Sequence, residues 1–412
     1  MAMSASELLN YISAVKDGVS VDDESLRAAG LTDGGSFLSP SFENLSGHSS
    51  GISLAEDTFF SHGPVRSSGQ GSEGIYHDID DAIEAAWRAQ KKLVMFSLED
   101  RGRFVDAMRR AVRSCARRLS EMAHEETGYG HVNDKIAKNL LAADKTPGIE
   151  DLYTIARTGD EGMMLTEMAP FGVIGSITPS TNPTATIINN SIGMVAAGNA
   201  VVFNPHPAAK ACCIETIRIL NRAVAQEGGP DSLLCCAADP DMKTSAVIMS
   251  HPKVRLLVVT GGEAVVNIAM RSGKRTIGAG PGNPPVVVDE TADIARAASD
   301  IVKGVSFEND MLCLAEKEIL CVNSVADALI GHLRDNGAYL LDQRELEKVL
   351  SKVLIEKDGK YSPNKAFVGK DASYILSECG IRGASDAKML LAQTPFEHPL
   401  VMTEMLMRSE EH

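Results

Sequence analysis

Cys313 is the side chain best placed in this sequence to act as a nucleophile. It lies in the segment 306–318, after a predicted helix and before the apolar strand 319–322. A cysteine thiolate in a loop beside a nucleotide site can attack a carbonyl carbon and form a covalent intermediate. A single cysteine is more often structural, so this segment by itself leaves both interpretations open.

Asn182 is a second candidate, and it follows the predicted strand 172–177. The prolines Pro179 and Pro183 hold its loop rigid. A fixed side-chain amide can donate hydrogen bonds to an oxyanion. The alternative is a helix cap, because Asn is favoured in front of a helix such as the one predicted to start near Thr184.

Two glycine-rich turns could bind a nucleotide. In the first, Thr260, Gly261 and Gly262 follow a strand and precede a helix, whose unpaired backbone N–H groups attract an anion such as a pyrophosphate. The alternative is a self-contained capping box between Thr260 and Glu263. The second segment, 278–285, lacks the GxGxxG pattern but has three alternate glycines that permit a close backbone approach. It also suits a tight crossover between domains.

Short apolar strands alternate with amphipathic helices from about residue 172 onward, which predicts an α/β fold with a parallel sheet. The predicted strands are 172–177, 200–203, 233–238, 255–259, 285–288 and 319–322. The predicted helices are 78–92, 98–126, 186–197, 207–226, 242–249, 263–272, 293–303 and 324–336. Residues 146–168 read as a loop with a β-excursion.

Residues 1–75 form a predicted flexible extension, since they are rich in Ser and Gly. A short helix is predicted at 4–16. It is either a loosely docked N-terminal helix or a peptide that docks the protein onto a partner or a shell.

Composition excludes several classes of function. The net charge of −15 argues against nucleic-acid binding, and no apolar run approaches the ~20 residues of a membrane span. No secretory signal is recognisable at the N-terminus. The eight cysteines include no CxxC pair, and neither they nor the ten histidines have metal-ligand spacing. We therefore predict a reduced, cytoplasmic protein without a metal.

Taken together, these segments resemble the aldehyde dehydrogenase superfamily. The branch that they resemble most is the CoA-acylating enzymes that oxidise acetaldehyde or propionaldehyde, including those packaged in bacterial microcompartments. The resemblance runs from about residue 78 to 407. Its most specific stretches are 203–210, 278–293 and 313–318.

The resemblance implies an aldehyde dehydrogenase-like fold with a Rossmann-type NAD-binding domain at 76–285 and an incomplete catalytic domain at 286–412. It implies that Cys313 is the catalytic thiolate and that Asn182, with the Cys313 backbone N–H, forms the oxyanion hole. Glu404 is expected to hold the nicotinamide ribose. The full set of residues implied to contact the cofactor is Thr178, Pro179, Ser180, Asn204, His206, Pro207, Thr260, Gly261, Gly262, Ala279, Gly280 and Glu404.

Two departures from hydrolytic relatives favour CoA over water as the acyl acceptor. Those relatives carry a glutamate base before a double glycine, where this chain has Ala279 and Gly280, and a lysine where it has Asn204. Without a positioned base, water is a poor nucleophile, whereas a thiol attacks thioesters well. Lys210, Lys274 and Arg275 are predicted to attract CoA. A hydrolytic aldehyde dehydrogenase giving a free acid remains an alternative.

The sequence leaves the family pattern at Arg408 and stops at His412, which predicts that the C-terminal part is missing. Full-length relatives are homo-oligomers, and some reside in microcompartments, where the N-terminal arm could bind shell or cargo. A truncated, inactive scaffold or cargo protein is therefore a further alternative.

Overall fold

The computed structural model describes residues 73–357, 359–405 and 409–411 of the 412-residue chain. The predicted helix at 4–16, and nearly all of the predicted extension 1–75, lie outside the described residues. None of the described helices is long and apolar enough to cross a membrane.

The described chain contains strands and helices in the following bounds. The strands are β1 (Ile75–Tyr76), β2 (Ile155–Gly159), β3 (Gly162–Thr166), β4 (Val173–Thr178), β5 (Ala200–Pro205), β6 (Leu234–Ala237), β7 (Val254–Thr260), β8 (Arg275–Ala279), β9 (Pro285–Val288), β10 (Glu318–Cys321), β11 (Ala338–Leu340), β12 (Leu354–Lys357), β13 (Lys360–Pro363), β14 (Met389–Ala392) and β15 (Ser409–Glu411). The helices are α1 (Ile79–Leu93), α2 (Leu98–Thr127), α3 (Val132–Lys145), α4 (Pro183–Ala196), α5 (Lys210–Gln226), α6 (Met242–Ser250), α7 (Glu263–Met270), α8 (Ile294–Ser306), α9 (Asn323–Asp335), α10 (Gln343–Val353), α11 (Ala372–Glu378) and α12 (Pro399–Met402).

The first sheet has the strand order β1-β6-β5-β4-β7-β8, and every neighbouring pair is parallel. Every residue of β4, β5 and β6 is buried, as expected for strands with helices on both faces. The chain runs from β4 out to β5 and β6, then returns to β7 on the other side of β4. Ligands of open parallel sheets bind outside the carboxyl ends of the strands at such a reversal.

Recognisable capping residues bound the long helix α2 at both ends. Ser97 and Asp100 form a capping box at its start, and Gly128 ends it with a left-handed φ of 71°. The next helix, α3, was not predicted from the sequence, and it packs against both α2 and α4. It carries two buried lysines, Lys135 and Lys138.

The predicted β-excursion is the antiparallel hairpin of β2 and β3. Every residue of both strands is exposed. The exposed side chains include the apolar Met163, Met164 and Leu165. The hairpin therefore contributes nothing to the core of the described chain.

The second sheet has the order β11-β14-β15-β10-β9, again parallel throughout. Its helices α8 and α9 pack on an apolar cluster that includes Ile301 and Leu329. Residues 409–411, at the end of the chain, pair with both β14 and β10. The link 280–284 is the predicted crossover, since it joins β8 of the first sheet to β9 of the second.

Candidate active site

Cys313 lies in the loop between the 3₁₀ turn Phe307–Asp310 and strand β10, and the residue is exposed. Desolvation is the largest cause that raises the pKa of its thiol, and the negative charge of Glu404 raises it further. The Cys313 backbone N–H, Lys317 and Lys138 act in the opposite direction. The sulfur thus lies among groups of both charge signs, and its own backbone N–H faces it.

The turn before Cys313 is strained. Glu308, Asn309 and Asp310 have consecutive left-handed φ angles of 52°, 55° and 59°. Such conformations cost on the order of 1–3 kcal/mol for each non-glycine residue and persist only where the surroundings impose them. All three residues are buried.

Each residue of this strained turn is held by a specific partner. The Glu308 carboxylate forms ion pairs with both Lys135 and Lys138 of α3. The Asn309 amide Nδ2 donates to the Gly369 carbonyl at 2.8 Å. These contacts fix the backbone that leads into the nucleophile loop.

Lys317 anchors the other side of the same loop. Its buried ammonium pairs with the Asp310 carboxylate and donates to the carbonyls of Asp310 and Leu312, each at 3.1 Å. Burial raises the pKa of the Asp310 carboxyl well above its usual range, although Lys317 opposes this. Lys317 thereby holds the backbone from Asp310 to Leu312, the residue that precedes Cys313.

Asn182 reaches this loop from the carboxyl end of β4. Its side chain makes no cap hydrogen bond to α4, so the alternative of a simple helix cap is wrong. Its Nδ2 donates to the Met311 carbonyl at 3.1 Å, and its Oδ1 accepts from Lys138 Nζ at 2.6 Å. The structure therefore brings the Asn182 amide to the loop of Cys313.

The turn between β7 and α7 is open. Gly262 precedes the helix and no side chain caps it, so the capping-box alternative for Thr260 and Glu263 is wrong. The Gly261 N–H donates to the Ala279 carbonyl at 3.1 Å. A Cβ atom added at Gly262 would meet nothing within 4 Å. The start of α7 is free to accept an anion.

Two neighbouring residues of the crossover, Gly282 and Asn283, contact Glu404 and the segment around it. The Gly282 backbone N–H donates a hydrogen bond to its carboxylate, while desolvation raises the pKa of that carboxyl. Asn283 Nδ2 donates to the carbonyls of Val401 at 2.8 Å and Thr403 at 3.0 Å, and its Oδ1 accepts from the Met405 N–H at 3.2 Å.

The sequence profile of the aldehyde dehydrogenase family matches residues 65–341. The chain belongs to the aldehyde dehydrogenase family. It is 46% identical over 337 residues to the acetaldehyde dehydrogenase (acetylating) EutE of Salmonella typhimurium, covering 81% of this chain and 72% of that protein. It is 42% identical over 345 residues to the propanal dehydrogenase (CoA-propanoylating) of the same organism, covering 84% and 73%.

Solved structures agree with these relatives. Propionaldehyde dehydrogenase of Rhodopseudomonas palustris with bound propionyl-CoA superposes with a TM-score of 0.77 at 47% identity, over 82% of this chain and 75% of that one. A propionaldehyde dehydrogenase from the fucose utilisation microcompartment of Clostridium phytofermentans gives 0.78 at 43% identity, over 82% and 78%. The predicted fold and the predicted resemblance to the CoA-acylating branch are confirmed.

Most of the remaining residues implied to bind the cofactor lie at the carboxyl ends of β4 and β5 of this aldehyde dehydrogenase. Thr178 ends β4 and is buried, and Pro179 and Ser180 follow it, half-buried. Asn204 is the last residue but one of β5, and its side chain contacts the start of α6. Its Nδ2 donates to the Asp241 carbonyl at 3.2 Å, and its Oδ1 accepts from the Thr244 hydroxyl at 2.6 Å.

His206 and Pro207 begin a 3₁₀ turn beyond β5, where His206 Nδ1 accepts from the Ala208 N–H at 3.1 Å. Burial, followed by the charge of Lys365, lowers the pKa of His206. Gly280 lies in the crossover after Ala279, the last residue of β8, and a Cβ added there would meet nothing within 4 Å.

The structure does not bring two of the three basic residues expected to attract CoA to the Cys313 loop. Lys274 Nζ donates to the carbonyls of His251 and Val254, each at 2.8 Å, at the amino end of β7. Arg275 begins β8 and lies 5.5 Å from the Phe171 ring. Both lie at the opposite end of the strands from the site. Lys210 Nζ pairs with Asp239 at 2.6 Å.

Sequence reasoning assigned no role to four residues that the structure places around the site, Lys135, Lys138, Glu308 and Asn283. One signal was available: lysines three positions apart lie on one face of a helix. Because helix α3 was not predicted, that face went unnoticed. Among the described residues, no group of three or more His, Cys, Asp or Glu side chains could hold a metal ion.

Proposed function

We propose that this chain oxidises a short-chain aldehyde, acetaldehyde or propionaldehyde, with NAD and transfers the acyl group from Cys313 to coenzyme A, reversibly. The observation that carries the proposal is the contact between Asn182 and the loop of Cys313. Its Nδ2 donates a hydrogen bond at 3.1 Å to the carbonyl of Met311, two residues before Cys313. The relatives named above are acetylating or CoA-propanoylating enzymes of the same family. In a further structure of the Rhodopseudomonas palustris enzyme, CoA is bound and the cysteine is acylated.

In the first step, the Cys313 thiolate attacks the carbonyl carbon of the aldehyde. A carbon–sulfur bond forms, and the carbonyl oxygen takes up the negative charge. One hydrogen of Asn182 Nδ2 binds the Met311 carbonyl. The second hydrogen makes only a long contact of 3.4 Å with the Thr181 hydroxyl, which the oxyanion would replace. This hydrogen and the Cys313 N–H are proposed to bind the oxyanion. Donors fixed in advance stabilise the developing charge without reorganisation.

The residues present fit a nicotinamide dinucleotide. The buried Thr178 hydroxyl has no hydrogen-bond partner, although buried hydroxyl groups are normally satisfied. The uncapped start of α7 and the open space at Gly262 suit a pyrophosphate. Glu404 would hold the nicotinamide ribose. Bound there, the cofactor supplies the hydride acceptor, and a thioester remains on Cys313.

We infer NAD rather than NADP from the charges beyond β5. Lys210 begins α5 just beyond this strand, and a phosphorylated ribose would need a free cation there. The ammonium of Lys210 is already paired with Asp239. The Asn204 side chain is likewise engaged with α6.

The acyl group on Cys313 is expected to go to CoA because three acidic side chains beside the loop are engaged. Glu308 is held by two lysines, and Asp310 is held by Lys317. Glu404 accepts from the Gly282 N–H. None is placed as the base that activates water in hydrolytic relatives. A thiol needs less help, because it attacks thioesters readily near neutral pH.

The division into domains and the assembly are further proposals. Each sheet has its own apolar cluster, which supports a cofactor domain at 76–285 and a catalytic domain at 286–412. The exposed apolar hairpin of β2 and β3 supports a homo-oligomer. The microcompartment origin of one similar enzyme supports a cytoplasmic location inside such a shell. Residues 1–75 are proposed to form the contact with the shell or with other cargo.

The test is NADH formation from propionaldehyde, with and without CoA, by the wild type and by Cys313→Ala. Turnover that requires CoA and vanishes in the variant is the expected result. Turnover that is equal without CoA would favour the hydrolytic alternative. Folded wild-type protein that turns over in neither condition would favour the scaffold alternative.

A further inference from the structure

Lys138 is a buried lysine whose ammonium reaches the proposed oxyanion hole. It lies on α3, with only 7% of the residue exposed. It pairs with the Glu308 carboxylate and donates to Asn182 Oδ1 at 2.6 Å. Buried lysines are rare because removing the charge from water is costly, and a buried ion pair is weak evidence of a stabilising role. A role at the site accounts for its position better.

The contacts of Asn182 define which way its amide faces. An ammonium group carries only donors, so Lys138 can bind the oxygen of the amide and not its nitrogen. The Met311 carbonyl can only accept, so it binds Nδ2. Rotating the amide by half a turn would place donor against donor and acceptor against acceptor. Both neighbours therefore select the orientation that turns Nδ2 toward the nucleophile loop.

We propose that Lys138 is a positioning residue for the oxyanion hole, because its ammonium fixes the Asn182 amide with Nδ2 toward the Cys313 loop. The inference rests on the proposed function, in which Asn182 binds the oxyanion. Lys138 itself touches neither aldehyde nor cofactor in this proposal. It acts through the orientation and the polarisation of a neighbouring amide.

Glu308 couples this contact to the strained turn. Its carboxylate binds Lys138 through one oxygen and Lys135 through the other, and its backbone N–H donates to the Asp134 carboxylate at 2.9 Å. In the described structure, Lys135 bonds to Glu308 and not to Asn182. Lys135 is therefore the matched comparison, since it shares the helix, the burial and the carboxylate but not the amide.

The charge of Lys138 gives the role a pH signature. Burial lowers the pKa of its ammonium to about 8, with Lys135 adding to the effect and Glu308 and Asp134 opposing it. Among the described residues, the Cys313 thiol also interacts electrostatically with Lys138. Deprotonation of the thiol raises activity as pH increases. Loss of the Lys138 charge near pH 8 removes the strongest donor to Asn182, so activity stops rising with the thiolate above that pH.

The experiment compares Lys138→Met, Lys138→Arg and Lys135→Met with the wild type. The readouts are kcat and KM for propionaldehyde, the NADH burst before CoA is added, NAD affinity by fluorescence, and the pH profile. Lys145→Met, on the exposed end of the same helix, controls for the loss of a lysine. All variants are checked for folding by thermal unfolding.

Lys138→Met is expected to lower kcat and the burst rate by about 10- to 100-fold, with NAD affinity unchanged, since the oxyanion contact exists only in the transition state. The loss should exceed that of Lys135→Met by at least about tenfold. Lys138→Arg should keep its charge and shift the pH at which the rise in activity levels off to a higher value. This shift is readable even if Lys138→Met does not fold.

Equal losses in Lys138→Met and Lys135→Met would reduce Lys138 to a structural ion-pair partner and overturn the inference. A rise in activity that still levels off near pH 8 in Lys138→Arg would also overturn it. If the wild type shows no aldehyde turnover, the proposed function itself fails and this inference fails with it. If the wild type turns over and Lys138→Met matches it, only this inference fails.

Discussion

The side-chain amide of Asn283 donates to the Thr403 carbonyl at 3.0 Å and thereby ties the crossover between the two sheets to the segment that carries Glu404. It donates to Val401 as well and accepts from Met405, so one side chain holds three backbone groups. Its neighbour Gly282 donates to the Glu404 carboxylate. The position of Glu404 therefore depends on residues 120 positions earlier in the chain.

Asn283→Ala is expected to raise KM for NAD by about tenfold with a smaller effect on kcat. Loss of the three hydrogen bonds frees the segment of Glu404, which is proposed to bind the ribose, and each such bond is worth about 1 kcal/mol. Steady-state kinetics with varied NAD would show this. An unchanged KM with normal stability would mean that Glu404 is positioned by other contacts.

Glu404→Gln is expected to shift the alkylation of Cys313 by iodoacetamide to lower pH. The negative charge of Glu404 contributes to the raised pKa of the thiol, because it disfavours the thiolate. Removing that charge lowers the thiol pKa, so the reactive thiolate appears at lower pH. Mass spectrometry of the Cys313 peptide separates it from the other cysteines. If the midpoint pH of Cys313 alkylation stays the same or rises, the charge of Glu404 does not raise the pKa of the thiol.

Gly369→Ala is expected to destabilise the protein and to slow catalysis. Gly369 has a φ of 68°, and an added Cβ would lie 3.1 Å from Met311 Sδ and 3.3 Å from Tyr129 Cα. The carbonyl of Gly369 also accepts from Asn309, so a shift there disturbs the strained turn before Cys313.

Gly380→Ala is the matched control for Gly369→Ala. Its φ is 70°, but an added Cβ would meet nothing within 4 Å. It therefore reports only the backbone cost of about 1 kcal/mol. Melting curves and kcat of both variants should show a larger loss for Gly369→Ala. Equal effects would exclude a specific clash at Met311.

Thr178→Val is expected to stabilise the protein without cofactor and to weaken NAD binding. The hydroxyl of Thr178 is buried without a partner, which costs about 1–3 kcal/mol, and valine has nearly the same shape. Ser191→Ala is the comparison, because its hydroxyl is also buried and unpartnered but lies on α4. Only Thr178→Val should lose protection by NAD in melting curves. An unchanged NAD response would remove Thr178 from the cofactor site.

The fold could be predicted where burial imposes a clear pattern. Strands β4 and β5 are buried throughout and are mostly apolar, while α2 begins after Ser97 and ends at Gly128. Strand β8 was not predicted, because its residues are largely exposed and lack a strand-like pattern. Helix α3 was also missed, since the residues that it buries include Lys135, Lys138 and Asn139 rather than an apolar stripe alone.

The proposed site could be predicted only in part. The candidates Cys313 and Asn182 came from motifs in their own loops. The structure brings the Asn182 side chain into contact with the loop of Cys313. The charged support behind them could not be predicted, because a local pattern does not show that Lys138 and Glu308, 170 positions apart, will meet. The left-handed turn at Asn309 was equally hidden, since its residues are not glycine and tertiary contacts impose the geometry.

The three left-handed residues before Cys313 restrict how this segment can vary. A β-branched side chain is a severe outlier at positive φ, so Val, Ile and Thr are barred at positions 308, 309 and 310. Asn and Asp tolerate this region better than other non-glycine residues, and they occupy two of the three positions. A library that randomises these codons and selects for active enzyme should therefore return short, unbranched or amide-bearing side chains and no β-branched ones.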